Sequence, residues 1–210
     1  MCFLDNDQAN EWLRANGWEA LGPCPVYRGN AREVRISVPE GYNRAVYLIN
    51  VLFALWGVGG FPGGLLVLSE YDVANTESLT HFIWEALCRS RDPLAPSLAY
   101  WADYLEPLSG GPGKRFVGEP PQKNEHQLFT AGEAGFAKAF FLLATLGWWR
   151  TRLVPPGGEF FLFNKDEDIY FVSQRTEMVA KLCGWLEKGS IVFEEGPARE
   201  YFLVPAGPKK

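Results

Sequence analysis

The spacing of apolar residues changes period several times along this chain, and each change marks an element. Residues 6–16, NDQANEWLRAN, set Trp12 and Leu13 on one side of a polar helix, with Asn6 or Asp7 as the expected N-cap and Gly17 as the stop. Residues 26–27 and 34–38 read as strands on either side of the turn Gly29-Asn30. VRISV alternates apolar and polar residues, which predicts burial of one face only, and Pro39 and Gly41 stop it. YNRAVYLINVLFALW, residues 42–56, is apolar at nearly every position after Arg44. That pattern predicts a helix buried on all sides. Residues 65–68 read as a buried strand. Asn75 or Thr76 then caps a helix, ESLTHFIWEALCRSR, which ends before Pro93.

Residues 106–125 are rich in Pro, Gly and charge and read as a linker between two halves, 1–105 and 126–210. GEAGFAKAFFLLATLGWW follows as a second strongly apolar helix, with Trp148 and Trp149 as structural rings at its end. Strands are expected at 151–154, 159–163 and 169–172, the last two joined by the polar tip NKDED, whose residues Lys165 to Asp168 are expected to face solvent or a partner. A helix over TEMVAKLCGWLEK comes next, and IVFEE and EYFLV close the chain as a hairpin across GPAR.

The two halves echo each other. Each reads as an apolar helix, a Pro-Gly-Gly turn, a strand and a helix that begins Thr-Glu: Pro62-Gly63-Gly64 matches Pro156-Gly157-Gly158, and Thr76-Glu77 matches Thr176-Glu177. The expected fold is therefore α+β, with two similar helix–strand–strand–helix halves packed as one compact body around the apolar helices 42–56 and 133–147. The repeat also accounts for the glycine-rich stretch WGVGGFPGG. A phosphate loop needs a helix directly after its glycines, and here a strand follows. Pro62 occupies the third glycine position of G-x-G-x-x-G, and no Gly-Lys-[Ser/Thr] occurs. The glycines turn the chain.

Charge and composition narrow the function. The first half carries 7 basic and 12 acidic residues and the second 13 of each, for a net charge of −5. Neither half has the basic stripe that nucleic acid requires. Residues 45–69 carry no charge, but the glycines and prolines in the second part of that run leave too short a helix to cross a membrane. Cys2, Cys24, Cys88 and Cys183 are scattered and read as reduced thiols, and no secretory signal precedes Asp5 and Asp7. Both features point to a bacterial cytoplasm.

Chemistry is sparse. His81 and Cys88 share a helix two turns apart, about 10.5 Å, too far for proton transfer. His126 is expected in an exposed loop. A cysteine-dependent hydrolase or transferase would have to use Cys183 with His81, or Cys2 as an N-terminal nucleophile, the plainer expectation for MCFL being a loosely packed terminus. Asn164, Asp166 and Asp168 alternate like the start of a calcium loop, but Ile169 and Arg175 stand where glycine and glutamate are required. No catalytic, cofactor or metal residue is assigned, and no cofactor is expected. The chain's 31 aromatic residues (15 Phe, 8 Tyr, 8 Trp) exceed what a core needs and leave some for a partner surface. The expected function is a protein-binding module of inhibitor or immunity type, without catalytic activity.

Overall fold

A computed structural model describes residues 2–21, 24–56, 64–70, 126–146 and 150–202. The expected helix 77–91, the linker 106–125, the glycine stretch 57–63, Trp148, Trp149, His81 and Cys88 lie outside the described residues. The fold is mixed helix and sheet. Among the described residues, eight strands form one sheet and two short ones, β2 (Glu19–Leu21) and β3 (Cys24–Val26), form a separate pair. The large sheet contains β1 (Cys2–Leu4), β4 (Arg32–Ser37), β5 (Leu65–Glu70), β6 (His126–Phe129), β7 (Arg150–Val154), β8 (Phe160–Lys165), β9 (Asp168–Ser173) and β10 (Phe193–Pro197). Its order is β1-β6-β5-β7-β8-β9-β4-β10, and every neighbouring pair is antiparallel.

Four α-helices stand among the described residues: α1 (Asn6–Ala15), α2 (Tyr42–Phe53), α3 (Ala134–Leu146) and α4 (Thr176–Lys188). Three of them connect strands that run parallel to each other with other strands between. β6 and β7 both run antiparallel to β5, so α3 joins two parallel strands across one intruder. α4 does the same from β9 to β10 across β4. α2 leads from β4 to β5, four antiparallel steps away. The first two crossovers step one way along the sheet. The third steps the other way, on strands that also point the other way. A common hand for all three therefore puts all three helices on one face, and α2, α3 and α4 do share a core with one face of the sheet.

That core contains Val34, Ile36, Leu65, Val67, Phe129, Leu153, Leu162, Ile169 and Phe171 from the strands. The alternate residues Leu66, Leu68, Val154, Phe161, Phe163, Tyr170 and Val172 face a second core. There Ala9 and Leu13 of α1, Trp18, Tyr27, Ala198 and Phe202 cover the sheet. Strands β8 and β9 are buried on both faces, which is why their sequences do not alternate. Asn164 sits on the helical face with its side-chain amide donating to the Ala144 carbonyl at 3.0 Å, close to the end of α3.

Several expectations are corrected. The cap of α1 is Asp5, not Asn6 or Asp7. Its carboxylate accepts from the Gln8 amide at 2.8 Å, while Gln8 Oε1 accepts from the Asp5 amide at 3.0 Å, a reciprocal box that only the residue before the first turn can form. Helix α2 is not buried all round. Asn43, Tyr47, Asn50 and Ala54 recur at helical spacing and are exposed, because the helix covers a sheet on one side and meets solvent on the other. The closing hairpin does not form. β10 pairs with β4, and residues Glu200–Phe202 make a short 3-10 turn that returns Phe202 to the second core. Pro62 and Gly63 of the first Pro-Gly-Gly turn lie outside the described residues. Gly157 and Gly158, at φ 94° and 69°, join the neighbours β7 and β8, whereas Gly64, at φ 131°, opens β5 after a crossover.

Candidate functional site

The polar residues of VRISV and its flanks, Glu33, Arg35 and Ser37, alternate with core residues and lie on the sheet face opposite the three helices. Tyr27, Phe202 and Arg199 lie over β9 on that face, where β9, β4 and β10 lie side by side. There the register aligns Phe163, Tyr170, Arg35 and Glu194 across four neighbouring strands. Arg35 grips Asp168 through Nε at 2.8 Å and Nη2 at 2.7 Å, and reaches Glu194 at 3.8 Å. Asp168 also accepts from Ser37 Oγ at 3.4 Å. The hydrogen bond and charge of Asp168 hold the Arg35 guanidinium above its ordinary range.

Two more arginines lie over rings beside this row. Arg152 stands 4.5 Å from the Phe163 centroid and Arg199 4.5 Å from that of Tyr170. Arg199 also holds the buried Glu33, its Nε donating at 2.9 Å and its backbone amide at 3.1 Å. On the helical side of the same edge Arg32 pairs with Glu195 at 2.6 Å. The result is a solvent-facing surface of alternating charges laid on aromatic rings and fixed to a sheet. Its strongest signal in the sequence is the alternation of REVRIS, which sets Glu33, Arg35 and Ser37 on a single face. The partners of these residues lie more than 130 positions away (133 for Arg35–Asp168), so local pattern gives no way to assign them.

The tip expectation holds in part. Asp166 and Glu167 are exposed, but Asp168 is buried, because the strand continues through it and Arg35 compensates its charge. Asn164, Asp166 and Asp168 do not converge as calcium ligands: Asn164 lies on the helical face and Asp168 on the other. Among the described residues no group of three His, Cys, Asp or Glu side chains could hold a metal ion.

The sulfur and imidazole candidates fall in different places. His126 is not in an exposed loop but is buried in β6, 2.9 Å from Asn6 Oδ1. The start of the chain is not loose either, since Cys2 stands opposite Leu128 in the ladder and Leu4 opposite His126. Cys183 lies on α4 with its sulfur 3.9 Å from Glu195 Oε2. Burial pushes this thiol up, and the carboxylates of Glu195 and Glu187 push it further. A nucleophilic cysteine needs the opposite shift. Cys24 and Cys183 are free thiols. No described helix is long and apolar enough to cross a membrane. No family model, curated protein or solved structure matches this chain.

Proposed function

We propose that this chain binds another protein and acts through that contact, as an inhibitor or immunity-type protein of a bacterial cytoplasm does, without chemistry of its own. The observation that carries this reading is the ion-paired surface across β9, β4 and β10. Its charges are already positioned by Arg35–Asp168 and Arg199–Glu33 on one face of a sheet backed by two cores, and Arg32–Glu195 is fixed on the other side of the same edge. Groups ordered in advance lose little freedom on association, and charges of both signs discriminate among partners. Val192 before β10 and, on the helical side of the same edge, Tyr47 of α2 are exposed apolar residues, at 71% and 45%. The cysteine-dependent alternative is weakened at Cys183, where neighbouring carboxylates oppose thiolate formation.

The test is recovery of a partner from the native host with a tagged chain, repeated with two surface variants. Glu194→Lys with Tyr47→Asp should lose a stoichiometric protein that both the unchanged chain and Glu11→Lys, on exposed α1, retain. Labelling of Cys183 by a chloroacetamide probe faster than the same thiol in urea would reverse the reading in favour of an enzyme.

A further inference from the structure

Among the described residues strand β10 ends the sheet, and its hydrogen-bonding geometry can be read residue by residue. Ser37 N donates to Val192 O at 3.1 Å, and Ala198 N donates to Ala31 O at 2.9 Å. In an antiparallel ladder the residues that exchange such bonds alternate. Val192, Glu194, Gly196 and Ala198 thus turn their amides and carbonyls towards β4, while Phe193, Glu195 and Pro197 turn theirs outward. Among the described residues no strand pairs with that outer side, and Val192, Glu194, Glu195 and Pro197 are exposed. Phe193 and Glu195 each offer a donor and an acceptor. Pro197 offers an acceptor only, which limits the open ladder to two full rungs.

Two adjacent glutamates stand on this edge. Glu194 is 79% exposed, Glu195 lies beside Cys183, and Glu187 acts on the same thiol. Arg32 pairs with Glu195 and Arg35 with Asp168, while Arg44 donates to the Ser190 carbonyl at 3.2 Å, which leaves Glu194 as the most exposed acid of the strand. A second copy of the chain suits the edge badly. A twofold register centred on Glu194 or on Glu195 sets that residue against its own copy. One centred on Phe193 brings Glu195 opposite Ile191, whose amide already donates to Leu186 O. Each register opposes like charges or loses a rung.

We propose that the outer edge of β10 receives a short basic segment of a partner protein as an added strand, paired at Phe193 and Glu195. This rests on the protein-binding reading and names its mode: backbone bonds supply the affinity and the glutamates select lysine or arginine on the incoming strand. Pro197 and the glutamates, which keep an edge from open-ended aggregation, also fix the length and charge of what it accepts.

The experiment uses fluorescent pentapeptides that alternate Val with Lys or Val with Glu, titrated by anisotropy against the full chain. Saturable binding of the basic peptide is expected, weakening with salt, with the acidic peptide at least about tenfold weaker. Glu195→Pro removes an outward donor without touching the β4 ladder and should weaken the basic peptide by at least about tenfold, more than Glu195→Gln does. If Glu195→Pro fails to fold, N-methylation of the peptide's edge-facing amides, tested on the unchanged chain, should give the same loss. Equal binding of both peptides, no saturable binding by millimolar concentration, or indifference to both Glu195→Pro and N-methylation would each overturn the proposal. A host protein partner whose affinity survives Glu195→Pro would also remove the edge from the mechanism while leaving the binding reading intact.

Discussion

At Cys183 the local field makes a measurable pH dependence. The folded thiol titrates above its ordinary value because burial and then Glu195 and Glu187 disfavour the thiolate. The folded state therefore holds its proton longer than the unfolded state. Stability from this site is complete below the unfolded thiol's pKa, about 8.5, and is lost as pH rises through the folded value. Alkylation rates followed against pH should give a higher midpoint for the native chain than for the chain in urea, and Glu195→Gln should lower it; equal midpoints would contradict the assignment. Gly158 gives a second residue-scale outcome. At φ 69°, a β-carbon there would lie 2.9 Å from the Gly17 carbonyl oxygen, whereas Gly157, at φ 94°, faces open space. Gly158→Ala should cost more than Gly157→Ala, which itself should cost about 1 kcal/mol, both read from urea unfolding midpoints.

Among the elements, the box that starts α1 is the simplest to isolate. Asp5 is exposed and serves only the helix end, so Asp5→Ala should cost about 1 kcal/mol in chemical denaturation, without change in the pairing of β1. The helix itself was legible from sequence because its cause is local, although its cap is Asp5 and not Asn6 or Asp7. The spacing of Trp12 and Leu13, the Thr-Glu start of α4 and the turn glycines at 157–158 all act within a few residues. Pairing was not legible in the same way. EYFLV has the composition of a strand, but Glu200–Phe202 form a 3-10 turn that packs the Phe202 ring edge-on against Phe161 and Phe163 in the second core. His126 was misread because four residues of strand between a polar stretch and a helix give too short a pattern to show periodicity. The charged surface of β4 was half visible: alternation assigned Arg35 to one face, but only the register could reveal Asp168 and Glu194 beside it.

For the whole molecule, the order of strands has a consequence for how the chain must be made. Segments before and after the expected linker alternate in one sheet: β5 lies between β6 and β7, and β4 between β9 and β10. A chain of residues 126–210 alone would lack both inserted strands. It should show neither dispersed amide NMR signals nor a cooperative melt; a folded fragment would mean that β9 and β10 can close without β4. The same arrangement sets a timetable on the ribosome. Arg35 meets Asp168 across 133 positions, and Arg32 meets Glu195 across 163. At translation speeds of about 5–20 residues per second, β4 emerges and then waits on the order of 10 s for its first neighbour in the sheet. During that wait Val34 and Ile36 have no sheet to cover them, so the nascent chain is exposed to chaperones and to its own copies on neighbouring ribosomes. Stalled chains ending before residue 168 should accordingly be captured by a holding chaperone, and chains that extend past residue 202 by enough to clear the exit tunnel should be released.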